Sequence, residues 1–97
     1  MNWQGGKSKI GQKLRNTLEY KIWQKAVYQK NNYICQKCKL TGKKLHAHHV
    51  QNFAQFPELR LAIDNGITLC IDCHKLFHKI YGQRNNNYQQ LIDFLII

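Results

Sequence analysis

Cysteine and histidine are the residues of this chain whose types and spacing can do chemistry. The four cysteines form two Cys-x-x-Cys pairs, Cys35/Cys38 and Cys70/Cys73. Two intervening residues let both thiolates of a pair face one ion, and two pairs complete a tetrahedral site with Zn–S distances of about 2.3 Å. Such a site has no open coordination position, so the expected role is a structural Zn2+. All five histidines lie between residues 46 and 78. His74 and His78 are four apart, so on a helix they share a face and can hold one ion. His48 and His49 are adjacent near the end of a strand candidate, where neighbours point to opposite sides and are not equivalent ligands of one metal. A site of His48, His74 and His78 leaves positions open for water or a phosphate oxygen, the arrangement of a catalytic ion, and frees His49 for another task. His46 is read as lying outside that site, as a polar strand residue or a phosphate contact.

Composition narrows the chemistry further. Glu19, Glu58, Asp64, Asp72 and Asp93 are the carboxylates of the 97-residue chain, and no two are adjacent. A carboxylate-dyad glycosidase or a carboxylate-rich two-metal site is therefore not expected. The net charge is +10, and residues 1–44 hold eleven basic residues against one acid while the rest hold four of each. A basic half beside a neutral half is the footprint of a polyanion binder, usually nucleic acid, although a ribosomal or membrane-surface partner would give the same signal. No apolar run approaches the roughly 18 to 20 residues of a membrane span, and the start lacks the apolar stretch of a signal peptide. The expectation is a cytoplasmic protein without membrane attachment, in whose reducing surroundings cysteine pairs are better read as metal ligands than as disulfides.

The elements that must position these residues fit one small domain. Residues 1–15, with three glycines and four basic residues, read as a flexible basic arm, and 16–97 as the domain. A helix is predicted over about 17–30, with Asn16 and Glu19 as a capping box and Leu18, Ile22, Trp23, Ala26 and Val27 as its apolar face. Lys21, Lys25 and Lys30 then lie on its solvent side. Leu45–Val50 and Ile67–Leu69 are short strands, and residues 51–64 a looser segment with Pro57 as breaker. Asp72 is read as the cap of a helix over about Cys73–Tyr81 that Gly82 stops. Tyr88, Leu91, Ile92 and Leu95 mark a last amphipathic helix, and the stripe Phe94–Ile97 packs back on the domain or forms a dimer surface. A chain this short buries a modest share of its surface, which zinc binding of order 10 to 16 kcal/mol can offset.

Three segments, Leu45-His46-Ala47-His48-His49-Val50, Asp64-Asn65-Gly66-Ile67-Thr68-Leu69-Cys70 and Cys73-His74-Lys75-Leu76-Phe77-His78, resemble the HNH endonuclease family. The resemblance covers about residues 30–82, and the runs Glu19–Trp23 and Asn2–Gly6 resemble small phage-encoded or intron-associated members. It implies an α+β architecture: a ββα-metal core at about 45–82, stapled by the four-cysteine zinc site and flanked by N-terminal and C-terminal helices. His48 resembles the first metal ligand, often Asp in the family and His in its colicin nuclease branch. His49 resembles the general base, and Asn65 the residue that orients that base through backbone hydrogen bonds across the ββ loop. His74 and His78 resemble the helical ligands, of which many members keep one. The implied cofactor is one catalytic divalent ion, Mg2+, Mn2+, Ni2+ or Zn2+. The implied partner is double-stranded DNA, with RNA not separable from it. Lys75 and Lys79 would approach the minor groove, and Lys7, Lys9, Lys13 and Arg15 the flanking phosphates. Hydrolysis would leave 5′-phosphate and 3′-hydroxyl ends. One site cuts one strand, so a monomer nicks, and a double-strand break needs a homodimer or two visits. The competing class is a non-catalytic, zinc-stabilised module that binds nucleic acid.

Overall fold

The computed structural model describes residues 13–97. Within them the chain order is helix α1 (Leu18–Lys30), strand β1 (Leu45–His49), two 3₁₀ turns (Pro57–Leu59 and Ile63–Asn65), strand β2 (Gly66–Cys70), helix α2 (Ile71–Tyr81) and helix α3 (Tyr88–Ile96). The expected arm falls, over residues 1–12, outside the described residues. Its last three, Lys13 to Arg15, sit in a helical turn, and Leu14 packs beside the buried Tyr20, Trp23, Val27 and Ala47. No described helix is long and apolar enough to cross a membrane.

β1 and β2 form an antiparallel pair in which His48 faces Ile67, Ala47 faces Thr68 and His49 faces Gly66. Paired residues share a face and successive residues alternate. Ala47 and Thr68 therefore look towards α1, where the Thr68 hydroxyl donates to the Val27 carbonyl at 3.2 Å. Leu69 looks the other way, into a core of Phe77, Leu91, Phe94 and three of the cysteines. α1 packs on one face of the sheet, and α2 with α3 on the other.

α1 differs from expectation in its cap and its buried face. Thr17, not Asn16, caps it, accepting from the Tyr20 N–H at 3.2 Å. Its buried face is Tyr20, Trp23 and Val27, while Leu18 and Ile22 are exposed. Both stripes have helical period, and the aromatic one is buried because its rings find partners. Trp23 Nε1 donates to the Ala62 carbonyl at 2.8 Å, and Tyr20 lies against Trp23 and Phe53. Lys21, Lys25 and Lys30 are exposed, and Lys30 Nζ also donates to the carbonyls of Ile63 and Gly66 at 3.0 and 2.7 Å.

α2 begins two residues earlier than expected, and Cys70, not Asp72, is its cap, its sulfur accepting the Cys73 N–H at 3.4 Å. Asp72 instead sits in the first turn and pairs with Lys43 at 3.6 Å. Gly82 ends the helix at φ 88°, a left-handed value that favours glycine. α3 carries a capping box of Asn87 and Gln90. It buries Leu91 and Phe94, and Tyr88 is exposed, because Phe94 reaches the Phe77 ring at 5.4 Å. Pro57 opens a 3₁₀ turn rather than breaking the chain. Of the C-terminal stripe, Phe94 packs back on the domain, while Ile96 and Ile97 are exposed.

Gly66 marks the closest approach of α1 to the sheet. A Cβ there would stand 2.3 Å from Val27 Cγ2 and 2.9 Å from Trp23 Cζ2, both in a packed core. Gly66→Ala is expected to cost about 1–3 kcal/mol by overpacking, seen as a lowered melting temperature; an unchanged melting curve would contradict this packing.

Candidate active site

The two cysteine pairs, one in the chain after α1 and one at the junction of β2 and α2, meet in the core that α2 and α3 share. The four sulfurs lie within 4.8 Å of one another, and Cys38 Sγ is 3.9 Å from Cys70 Sγ. A tetrahedral ion about 2.3 Å from each sulfur holds them about 3.8 Å apart, so the set fits zinc. Each pair is a knuckle in which the second cysteine's N–H donates to the first sulfur, at 3.5 Å for Cys38 and 3.4 Å for Cys73. Lys39, at φ 65°, turns the chain out of the first knuckle. Burial opposes ionisation of the Cys35 thiol, but the backbone N–H groups of Cys38, Cys70 and Lys37 bring it down to about 6. Burial and the neighbouring sulfurs push the Cys73 thiol up. Four sulfurs this close resist ionising together, and a divalent cation relieves that resistance.

The second cluster joins β1 to α2. One ring nitrogen each of His48, His74 and His78 falls within 4.8 Å of the others, and the Nε2 atoms of His74 and His78 are 3.1 Å apart. Ligand nitrogens about 2.0–2.1 Å from a shared zinc ion stand about 3.0–3.4 Å from one another, so the donor set fits one divalent ion with positions to spare. His78 Nδ1 lies 2.8 Å from the Gly82 carbonyl. A carbonyl only accepts, so Nδ1 carries the proton and Nε2 is left for an ion. Alternation along β1 puts His48 on the α2 face, its ring 4.7 Å from that of Phe77. The two clusters share one helix, since Cys73 and His74 are neighbours in α2.

His49, on the opposite face of β1, stacks on Trp23 with ring centroids 4.3 Å apart and meets Phe53 edge-on at 5.3 Å. Its Nε2 is 3.0 Å from the Arg60 carbonyl, which by the same reasoning fixes the proton on Nε2 and leaves the lone pair on Nδ1. Buried Asn65 pins the ββ loop. Its carboxamide accepts from the Gln51 N–H at 2.8 Å and donates to the carbonyls of Gln51 and Leu59 at 3.0 and 3.2 Å. Leu59 precedes Arg60, so Asn65 holds in place the stretch of chain that orients His49. His48, His49, His74 and His78 all border one open groove of about 900 Å³.

Burial in the groove opposes the charged form of His46, His48, His49 and His74. Burial, then the neighbouring imidazoles, lowers His48 to about 3 and His74 to about 4, and His46 is likewise lowered to about 4. His49 is also lowered, by burial first, with the Arg60 carbonyl opposing and the Arg15 and Arg60 cations reinforcing the shift. At pH 7 these rings are neutral, the form that binds metal or accepts a proton.

His46 stands outside the three-imidazole set, but its ring stacks on His74 at 3.7 Å. Arg15 borders the groove, and Lys13, Lys75 and Lys79 are exposed. Lys7 and Lys9 lie outside the described residues. Sequence reasoning missed Phe53, which meets His49, and Arg60, which orients it. Asn52, donating to the Asn86 carbonyl at 2.9 Å to tie the ββ loop to the chain after α2, was also missed. None of the three carries a spacing signal; the ββ loop brings them in.

Compared with known proteins, residues 35–79, a little under half of the chain, match the family model described as HNH endonuclease. The match runs from the first cysteine of the first knuckle past His78. No curated protein and no solved structure matches the chain.

Cys38→Ser leaves three sulfurs in the cluster that ties the chain after α1 to the β2–α2 junction. The expected outcome is loss of tightly held zinc and a lower melting temperature, measured by metal analysis beside thermal unfolding; full zinc content with unchanged melting would contradict a structural site. The buried imidazoles set an acid limit. An unfolded chain takes protons on its histidines from about pH 6.5 downward, whereas the folded His46, His48 and His74 resist until about 3 to 4. Their contribution to stability is complete above about pH 6.5 and is lost as the pH falls towards 4. His46→Gln is therefore expected to flatten the fall in melting temperature between pH 7 and 4, and a slope equal to the parent's would refute the assignment.

Proposed function

We propose that this chain, with an HNH endonuclease region spanning both candidate metal clusters, is a metal-dependent nuclease that hydrolyses DNA phosphodiester bonds, one strand per site. The observation that carries the reading is the division of labour at adjacent positions of β1. His48 faces the two helical imidazoles, and His49, its Nε2 proton engaged by the Arg60 carbonyl, keeps a basic Nδ1. The chain's excess positive charge supports a polyanionic substrate.

His49 accepts a proton from a water molecule at Nδ1 as the water oxygen attacks phosphorus in line. The new O–P bond forms as the bond to the 3′ oxygen breaks, and the departing oxygen takes a proton from solvent, leaving 5′-phosphate and 3′-hydroxyl ends. His48, His74 and His78 would hold one divalent ion, which when bound supplies positive charge beside the scissile phosphate and the departing oxygen. Asn65 is a positioning residue that acts through the loop carrying the Arg60 carbonyl. Cys35, Cys38, Cys70 and Cys73 would hold a structural zinc that fixes the start of α2. Lys75 and Lys79 on α2, with the basic residues around Lys13 and Arg15, would neutralise phosphates on either side of the cut.

The test is relaxation of supercoiled plasmid by purified protein supplied in turn with Mg2+, Mn2+, Ni2+ or Zn2+. The parent is expected to convert plasmid to the open circle before any linear form. His49→Ala is expected to lower the rate by about 10² or more while salt-dependent binding to DNA persists. Binding without cleavage by the parent under every ion would instead favour a zinc-stabilised binding module, and undiminished cutting by His49→Ala would remove His49 from the chemistry.

A further inference from the structure

Two arginines share one aromatic ring beside His49. The guanidinium carbons of Arg15 and Arg60 each stand 4.3 Å from the centroid of Phe53. The two cations are thus no more than about 9 Å apart, comparable to the roughly 8 Å screening length of physiological salt, and they repel. Neither has a carboxylate within ion-pair distance among the described residues, where the ion pair present is Lys43 with Asp72. Arg60 is pre-set as well: its Nε donates to the Phe53 carbonyl at 2.6 Å, which leaves its terminal amino groups for another acceptor. Arg15 and Phe53 border the groove that holds the imidazoles, and the backbone carbonyl of Arg60 orients His49. Two guanidinium groups without a carboxylate partner among the described residues, Arg15 at the groove and Arg60 on the Phe53 ring that borders it, match the planar, multidentate way arginine holds phosphate oxygens.

We propose that Arg15 and Arg60, held on Phe53, form a binding site for the sugar-phosphate backbone next to the scissile bond. The assignment rests on the proposed nuclease reading and adds a direction to it: the cleaved strand runs from the three-imidazole cluster past His49 onto the Phe53 platform. The ligand is the phosphodiester group itself, so the site adds affinity without reading sequence. Arg60 then has two separate roles, since its carbonyl orients His49 while its side chain holds the strand that His49 acts on.

The test is binding of the zinc-loaded chain to short duplexes of several sequences, without added divalent ion, across a range of salt concentrations. Arg15→Gln and Arg60→Gln are each expected to weaken binding by a similar factor on every sequence. Each should also reduce the slope of log affinity against log salt by about one. Arg60→Lys, which keeps the charge but not the fork, retains the slope and loses part of the affinity. Phe53→Leu, which keeps both charges without their platform, weakens binding, and unchanged affinity would remove the platform from the site. Lys25→Gln, on the exposed side of α1, is the control for net charge. An equal loss of slope in Lys25→Gln, or an unchanged slope in both arginine variants of a parent that binds and nicks, overturns this site and leaves the nuclease reading standing. A parent that neither binds nor nicks any duplex overturns both.

Discussion

The convergence of four sulfurs at the junction of β2 and α2 is the constraint on which the rest of this small fold depends. Cys70 is at once the last residue of β2, a member of the sulfur cluster and the N-cap of α2. A helix cap ordinarily fixes where a helix begins but not where it points. Here the capping sulfur is also gathered with Cys35 and Cys38, from the chain that follows α1, so the first turn of α2 is tied to the rest of the domain at a second point. His74 follows Cys73 directly and His78 lies one turn on. The direction imposed on the first turn is the direction in which these two imidazoles are presented to β1.

The strand supplies the complementary constraint. With its register fixed against β2, β1 has no freedom in which side each histidine takes, and a slip of one residue would exchange His48 and His49. Packing on both faces guards that register. Gly66 opposite His49 lets Val27 and Trp23 close on the sheet from one side, while Leu69 is buried against Phe77 on the other. Two adjacent imidazoles thereby have different partners: His48 meets other imidazoles and Phe77, and His49 meets Trp23, Phe53 and a backbone carbonyl. Different surroundings for the same side chain are what would allow the proposed metal ligand and the proposed base to be neighbours.

What was legible in the sequence was what depends on local spacing. The Cys-x-x-Cys knuckles, the i, i+4 histidines and the opposed histidines of a strand are set by helix and strand geometry alone, and each recurs in the structure. The choice of buried face on α1 was not legible, because the stripes through Leu18 and Ile22 and through Tyr20 and Trp23 have the same period. Partners distant in sequence, the Ala62 carbonyl and Phe53, decided between them. The cap of α2 was misread for a related reason: Asp72 is the stronger capper by residue type, but its position inside the first turn leaves Cys70 at the cap. Arg60 and Phe53 carried no signal, since their place beside His49 follows from the path of a 3₁₀-containing loop and from Asn65, which pins it.

The absence of carboxylates from the three-imidazole set has an electrostatic consequence. Anionic ligands cancel part of a divalent ion's charge, whereas neutral imidazoles leave it nearly whole. Arg15 and Arg60 act on the groove and, among the described residues, no carboxylate lines it, which biases the field there towards positive. Such a field favours the arrival of an anion and depresses the proton affinity of any imidazole within it, and the Arg15 and Arg60 cations act on His49 in that sense. Each imidazole that stays neutral is available as a ligand or base. The same cations that would draw a phosphate into the groove thus favour neutral His49, so the groups proposed to bind substrate and the residue proposed to act on it would be coupled through one local field.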